Sequence, residues 1–438
     1  MIVTLLAAMQ LTLPAAQAVA QAPAAARSQD SLPVVTLAEA LQRAARVDPN
    51  YVAALRNIVD AKWQQRAAYA AFIIPATTLS ATQTRSDQAV FNFGTGEFAD
   101  RLTQAQADMR LNLFRGLSKF FEAGQAGATV AQADANELAA RFQTALLTEA
   151  DYYEVRAQRE LTRVAEERVR RAEEQLDIAR ARVRSGAAVQ TDSLQLLLEL
   201  RRAQVGLLEQ RATLRVARIQ LGRRVGMPGP VDAAPLDSLP SGPLPITEQE
   251  AVREALEEGP DYRAAAAGAR AAERAYSAVM GQYLPRIDLF ATYQAFGDEF
   301  LLPDDSRRWI YGFSINFPIW NNAQREIQLS QAKSNREVAR AVRDDTERGV
   351  RRDVIAAYEV FETARASADL AEDAVVVARE NLRVNQERYR AGATTILDLL
   401  TSQVSLVESE AALVQALQAE RLALAGLEAL LGRRIYGI

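Results

Sequence analysis

The chain contains 438 residues, with 51 basic and 55 acidic side chains, no cysteine and no histidine. The missing cysteines exclude disulfides, thiolate metal sites and cysteine nucleophiles, and the missing histidines remove the commonest general base and imidazole ligand. A net charge of −4 gives no overall attraction to nucleic acid. Catalysis by carboxylates or lysine stays open, but the composition points away from an enzyme. We expect no cofactor, no metal and no nucleic-acid partner.

The first 26 residues are apolar and rich in alanine, with small-x-small cleavage sites at 16–18 and 20–22. This pattern predicts a secretory signal peptide over residues 1–22. An N-terminal membrane anchor is the alternative, but the apolar core is short and Pro14 interrupts it. No later stretch contains about 18 uncharged apolar residues, so we expect no transmembrane helix.

The two halves of the chain carry the same features in the same order. The matching pairs are Thr36 and Thr247, Pro49 and Pro260, Pro75 and Pro285, Gly186 and Gly392, and Arg224 and Arg434, at offsets of 211, 211, 210, 206 and 210. An ordered series of this kind predicts a tandem duplication. We place the first repeat at 34–226, a proline-rich linker at 227–246 and the second repeat at 247–434.

Each repeat opens with the pattern of a helix start. Thr36-x-x-Glu39 and Thr247-x-x-Glu250 both read as capping boxes, in which the hydroxyl and the carboxylate satisfy backbone amides reciprocally. Pro49 or Pro260 then ends a short helix and begins a second one.

Beyond Pro75 and Pro285 the hydrophobic pattern changes from helical to alternating. We predict β-hairpins at about 75–114 and 285–320, with four strands of about ten residues each and polar loops at 85–102 and 297–306. The clearest apolar faces comprise Ala105, Ala107, Met109, Leu111 and Leu113, then Ile287, Leu289, Ala291, Tyr293 and Ala295, then Trp309, Tyr311, Phe313, Ile315, Phe317 and Ile319. Phe290 is an exception on the polar side. The pattern suits membrane strands with lipid outside and a polar lumen, and it also suits a half-buried sheet packed on helices.

A long helical hairpin follows each strand pair, at about 116–224 and 321–432. The outgoing helices lack proline, and each is long enough to extend roughly 100 Å. Leucine heptads mark the return helices, at Leu200, Leu207, Leu214 and Leu221 and at Leu417, Leu424 and Leu431. A soluble coiled coil would share these heptads but would not explain the inserted hairpins. Four strands cannot close a membrane barrel, so membrane strands would require oligomerisation.

This arrangement resembles the TolC family of outer-membrane efflux and secretion channels over about residues 34–434. The resemblance rests on the duplication and on four motifs, Thr247-Glu-Gln-Glu-Ala-Val252 followed by Pro260, Pro285-Arg-Ile-Asp-Leu289, Asn316-Phe-Pro-Ile-Trp320 and Arg388-Tyr-Arg-Ala-Gly-Ala-Thr-Thr-Ile-Leu-Asp-Leu-Leu400. It implies a mainly α-helical chain with membrane strands, and a homotrimer with a 12-stranded β-barrel and a periplasmic α-helical barrel. It also implies passive export with a periplasmic adaptor and an inner-membrane pump or ABC transporter.

The family pattern assigns adaptor docking to the hairpin tips, at Arg184 and Gly186 and at Arg390 and Gly392. An ordinary helical turn explains the same residues, because glycine ends helices and arginine suits a helix C-terminus. Asp192 and Asp398 lie six residues after each glycine. By the resemblance they would form carboxylate rings at the closed entrance that weakly select cations. The alternative is an acidic residue favoured by the helix dipole.

Two family positions differ in this chain. Thr401 stands where a second aspartate is frequent, so the ring would carry less charge. Thr394 stands where an arginine can pair with the neighbouring aspartate, so we expect a more weakly held entrance. Trp309, Tyr311 and Trp320 are predicted membrane-interface aromatics, with core packing as the alternative.

We therefore expect the outer-membrane exit duct of a tripartite efflux or type I secretion system, in contact with outer-membrane lipid and extending far into the periplasm. The alternative is a secreted periplasmic coiled-coil structural or adaptor protein.

Overall fold

The computed structural model describes residues 32–92, 96–235, 244–297 and 307–436. The predicted signal peptide, the middle of the predicted linker and most of the predicted loop at 297–306 lie outside the described residues. The described part is mainly helical and is built twice from one plan, in which two short helices precede two strands and a long helical hairpin.

The first repeat contains β1 (Val34–Val35), α1 (Leu37–Val47), α2 (Pro49–Ala70), β2 (Ala76–Asn92), β3 (Glu97–Arg115), α3 (Ser118–Arg184) and α4 (Gln190–Arg224). A short strand, β4 (Asp232–Ala233), then pairs in parallel with β1. The second repeat contains α5 (Glu248–Glu257), α6 (Pro260–Met280), β5 (Arg286–Gly297), β6 (Arg307–Asn316), α7 (Gln324–Arg390) and α8 (Ile396–Leu431).

The two predicted capping boxes differ in the structure. Thr247 and Glu250 make both reciprocal bonds at the start of α5. At the start of α1, Thr36 accepts the Glu39 amide at 3.2 Å, but the Glu39 carboxylate bonds Arg43 Nε at 2.9 Å instead. The prediction of a full box in the first repeat is therefore wrong, because a basic side chain one turn along the helix competes for the carboxylate.

Both repeats contribute to a single antiparallel sheet with the strand order β2-β3-β5-β6. The predicted polar loop at 85–102 is wrong, because β2 continues to Asn92 and β3 begins at Glu97. A register irregularity between Arg85 and Val90 interrupts the pairing and the alternation, and pairing resumes where Val90 faces Ala99. The strands of the first hairpin have 17 and 19 residues, against 12 and 10 in the second.

The predicted apolar faces of the four strands coincide. The register aligns Leu79 with Ala107, Ala107 with Tyr293, and Tyr293 with Trp309 across the whole sheet. This face is not covered by the helices of the chain, since Leu79 and Tyr311 are 80% and 81% exposed. A half-buried sheet packed on helices is therefore excluded for this face.

The core lies in the helical part and is divided along its length. One cluster joins α1, α3, α4 and the β1–β4 pair around Tyr152 and Leu221. Its counterpart joins α5, α7 and α8 around Phe361 and Leu427. Each long hairpin also has one smaller cluster of its own, which packs its two helices together near the turn. None of the described helices is long and apolar enough to cross a membrane.

Candidate functional site

The two long hairpins turn at equivalent glycines. Gly186 and Gly392 have φ of +76° and +74°, a left-handed conformation that glycine adopts without steric cost. In each turn the amide that follows the glycine donates to a carbonyl five residues back, Ala187 to Arg182 at 2.9 Å and Ala393 to Arg388 at 2.8 Å. These bonds satisfy carbonyls that the helix end would leave free.

The arginines at the two tips differ in their partners. Arg390 donates to Glu387 at 3.0 Å, one turn back in α7. Arg184 is exposed and makes no side-chain hydrogen bond or ion pair with any residue that the structure describes. The first tip therefore presents a free guanidinium, and the second presents a neutralised one.

Asp398 is the third residue of α8 and forms a capping box with the N-cap residue Thr395. Its carboxylate accepts from Thr395 Oγ1 at 2.7 Å, from Thr394 Oγ1 at 2.8 Å and from the Thr395 amide at 3.2 Å. These hydrogen bonds, with the two hydroxyls as the first causes, lower the pKa of Asp398. The Thr401 hydroxyl donates to the Leu397 carbonyl at 2.9 Å within the helix.

Asp192 stands at the equivalent position of the first repeat, but its surroundings differ. Val189 occupies the N-cap of α4 and offers no side-chain hydrogen bond. The Asp192 carboxylate makes no hydrogen bond to a described residue, and it lies near enough to Tyr389 to raise the pKa of that phenol, after burial as the larger cause. Asp192 and Asp398 occupy equivalent positions in the two repeats but therefore have different electrostatic surroundings.

A contact between the two tips escaped the sequence prediction. Arg182 Nη1 donates to the Tyr389 carbonyl at 2.5 Å, and the guanidinium lies 4.7 Å from the centre of the Tyr389 ring. Tyr389 is only 4% exposed, and its buried hydroxyl has no partner. The signal was the pattern Arg-x-Arg-x-Gly in both repeats, at 182–186 and 388–392. The pattern does not say which arginine reaches across.

The two hairpins meet each other through polar side chains. Between α3 and α8, Gln403 donates to Gln175, Arg171 pairs with Glu410 at 3.4 Å, and Gln418 donates to Glu154 at 2.7 Å. Apolar side chains cross the same seam, since Ile396 and Leu400 of α8 pack against the α3–α4 cluster that contains Leu176. The boundary between the hairpins is therefore a mixed polar and apolar interface.

The predicted interface aromatics are exposed. Trp309, Tyr311 and Trp320 are 58%, 81% and 70% accessible. Trp309 packs against Tyr293 on the same face, with ring centroids 4.9 Å apart. Core packing within the chain, the alternative for Trp320, is wrong, because this side chain is largely exposed.

Among the described residues, no group of three or more acidic side chains is arranged to hold a metal ion.

Comparisons with known proteins agree on the class. Residues 251–433 match the family model described as outer membrane efflux protein. Over 270 residues the chain is 29% identical to the outer membrane efflux protein BepC of Brucella suis biovar 1, an alignment that covers 61% of this chain and 58% of BepC. The chain therefore spans less than two thirds of the length of this curated relative.

The solved structures extend the likeness to most of the chain. The outer membrane protein VceC of Vibrio cholerae superposes with a TM-score of 0.76 at 18% identity, over 91% of this chain and 96% of that one. The CmeC outer membrane channel of Campylobacter jejuni gives a TM-score of 0.76 at 15% identity, over 90% and 85%. The fold is that of an outer-membrane channel protein.

The predicted resemblance to the TolC family is confirmed, and the second repeat carries the outer membrane efflux protein domain. The predicted location in the bacterial outer membrane, with a long periplasmic extension, is confirmed.

Proposed function

We propose that this chain is the exit duct of a tripartite efflux or type I secretion system, a passive conduit and not an enzyme. The observation that carries the proposal is a four-stranded sheet that is apolar and exposed on one face and continues directly into two helices of 67 residues each. A sheet of this kind suits lipid on its outer face, and the helices have the reach of a periplasmic tunnel.

The sheet edges support a homotrimer. β2 and β6 are each paired on one side only, so their outer backbone groups lack partners in the chain. Unpaired edges are not tolerated in lipid, and pairing β6 of one copy with β2 of the next removes them. Three copies with four strands each would form a closed 12-stranded barrel.

The helices support the same closed assembly. The outer helices of the protomer, α4 and α7, each carry an apolar stripe that the other described segments leave exposed. The exposed residues are Leu194, Leu198, Val205 and Leu208 on α4 and Leu370, Val377 and Val384 on α7. Counted from their tips, the two stripes lie at the same heights. The stripe of one copy can therefore pack on that of the next, as in a ring with heterologous contacts.

The polar face of the sheet suits an aqueous lumen. Asn112 donates to Asp288 at 2.7 Å and Thr292 donates to Asp108 at 2.8 Å, across neighbouring strands. Phe290 shares this face because its ring covers Gly312, where an added Cβ would lie 3.1 Å from the ring. Its place among polar residues thus has a packing reason.

In the assembled duct, Asp192 and Asp398 would line the periplasmic entrance, with Thr394 and Thr401 beside Asp398. The capping bonds that lower the pKa of Asp398 support a carboxylate that stays ionised near neutral pH. Arg184, Gly186, Arg390 and Gly392 would meet the adaptor, and an inner-membrane pump or ABC transporter would supply energy and selectivity. Each repeat, 34–226 and 247–434, would act as one unit on either side of the linker at 227–246.

The test compares two substitutions at adjacent positions of β6. Phe313→Asp places a charge on the exposed apolar face, whereas Ser314→Asp places one on the polar face. We expect only Phe313→Asp to abolish trimer bands and outer-membrane recovery, because a charge facing lipid is costly. Purified wild type should conduct ions in a planar bilayer. Equal tolerance of both variants, or a soluble monomer, would instead favour a secreted coiled-coil structural or adaptor protein.

A further inference from the structure

A large basic groove lies between α3 and α4, on the tip side of the β1–β4 pair. It encloses about 760 Å³, and its lining contains two glutamates and five arginines: Arg159, Arg163, Arg211, Arg215 and Arg218. Its remaining surface is partly apolar, with contributions from Leu214 and Pro230. We call this feature the arginine groove.

Carboxylates of the described residues pair with three of the five arginines in the arginine groove and leave two without a partner. Arg159 and Arg215 are exposed and make no side-chain hydrogen bond or ion pair with any described residue. The other three are paired: Arg163 with Glu160, Arg211 with Glu166 and Arg218 with Asp232. Arg218 Nε is nevertheless buried without an acceptor. Two whole guanidinium groups and one buried donor are thus left for an external anion.

The duplication supplies an internal comparison. α3 and α7 have equal lengths and end at equivalent arginines, and α4 and α8 end at equivalent Leu-Gly-Arg-Arg sequences. The corresponding positions in the second repeat are Arg365, Asp369, Arg421, Ala425 and Glu428. The second hairpin therefore folds without this concentration of arginine. Folding alone does not account for the arginine groove, and this points to a ligand.

The arginine groove is separate from the hairpin tips. Arg163 precedes Arg184 by 21 residues, which places it about 32 Å along α3 from the turn. A partner that contacts only the tips would not reach it.

We propose that the arginine groove docks an acidic peptide segment of a partner in the periplasm. Carboxylates of the segment would pair with Arg159 and Arg215, whose planar forks match carboxylate geometry, and an apolar side chain would lie on Leu214 and Pro230. The apolar floor favours a peptide over a phosphate, which has nothing to place there. This docking role is separate from the proposed duct function and uses a different surface of the protein.

The experiment uses the full chain in detergent and a fluorescein-labelled peptide of repeated Asp-Leu-Asp-Ala, with Asn-Leu-Asn-Ala as the neutral peptide. Anisotropy titrations would compare wild type, R159Q/R215Q and the matched control R170Q/R202Q. The control removes two exposed charges from the same helices outside the groove. Exposed arginines of this kind are not needed for folding. Both variants should therefore keep the trimer bands and the helical circular dichroism spectrum of the wild type.

We expect R159Q/R215Q to weaken binding of the acidic peptide by about tenfold or more and the control to leave it within about twofold. Added salt should weaken wild-type binding, and the neutral peptide should not bind. Equal losses in both variants would overturn the proposal. So would tighter binding of polyphosphate or phosphatidylglycerol vesicles than of the acidic peptide, since either would identify a phosphate ligand.

Discussion

The Arg182 guanidinium of α3 donates a 2.5 Å hydrogen bond to the Tyr389 carbonyl at the end of α7 and lies 4.7 Å from the centre of that ring. One side chain thus joins the two hairpin tips. Farther from the turns, α3 and α8 contact each other through polar pairs and through apolar side chains such as Leu400. At the turns themselves, Arg182 holds the second tip against the first.

Arg182→Gln should loosen the entrance. The substitution removes both the hydrogen bond and the cation–π contact, which are each worth about 1 kcal/mol. We expect single-channel conductance of the reconstituted protein to rise several-fold, with an unchanged yield of trimer. Arg180→Gln is the control, because Arg180 pairs with Asp177 on its own helix and makes no other ion pair among the described residues. Unchanged conductance in Arg182→Gln would show that this contact does not hold the entrance.

Asp398 and Asp192 should respond differently to amidation. Asp398→Asn weakens the cap of α8, so amide exchange should accelerate over 396–400, whereas Asp192→Asn should leave the start of α4 unchanged. The folded-state pKa of Asp398 is lowered, so its stabilising contribution is present above the unfolded value of about 3.9 and is lost as pH falls through the folded value. Between pH 5 and 8 the cap should not titrate.

The gating role of Asp398 has a separate readout. If its carboxylate selects cations, Asp398→Ala should lower the cation selectivity of the reconstituted channel. Identical conductance and selectivity of wild type and Asp398→Ala across pH 4–8 would leave capping as its role.

Arg434 should be a strong stability determinant. Its guanidinium bonds Glu149 on α3 and Glu428 on α8, which are 2% and 4% exposed. Arg434→Met leaves two buried carboxylates without a cation and should cost about 3–5 kcal/mol in unfolding free energy. Arg433→Gln is the control, because the Arg433–Glu254 pair is more exposed.

The pH dependence of that variant gives a second check. Burial already raises the pKa of Glu149, and loss of Arg434 should raise it further. The folded state then binds more protons than the unfolded state, so the defect should be greatest at neutral pH and shrink on mild acidification. Arg434→Met/Glu149→Gln should recover part of the loss at neutral pH. A defect that is constant with pH would exclude an unpaired buried carboxylate as its cause.

Gly116→Ala should prevent normal assembly. Gly116 has φ of +56°, and an added Cβ would lie 1.7 Å from the Gly281 carbonyl oxygen at the junction of sheet and helices. The backbone there cannot yield without separating the two repeats. Gly206→Ala is the matched control, since Gly206 lies within α4 with no atom within 4 Å of the new Cβ, and it should stabilise the chain by up to about 1 kcal/mol. Recovery of normal trimer from Gly116→Ala would contradict this reading of the junction.

Much of the architecture could be predicted from local patterns. The alternation in β3, β5 and β6 predicted the apolar face because the pleat assigns neighbouring side chains to opposite sides. The ends of both long hairpins followed from glycine and arginine at equivalent positions. The predicted loop at 85–102 failed because polar residues suggested a turn where both strands continue, with an irregular register.

The candidate site residues could also be predicted only in part from the sequence. Residue type and spacing picked out Asp192 and Asp398 as a pair but could not separate them, because the N-cap residue, Val189 or Thr395, decides whether the carboxylate has partners. Their roles at the entrance, like those of the tip residues, stay predictions.

The sequence by itself determined the duplication, the strand faces, the long helices and the family resemblance, because each depends on periodicity or on residues close in the chain. Only the tertiary structure decided which side chains meet between the repeats. Arg182 reaches Tyr389 across 207 positions, Arg434 reaches Glu149 across 285, and five arginines from two helices converge on one groove. Such contacts depend on how two helices are rotated against each other, and the chain's own periodicity leaves that rotation open.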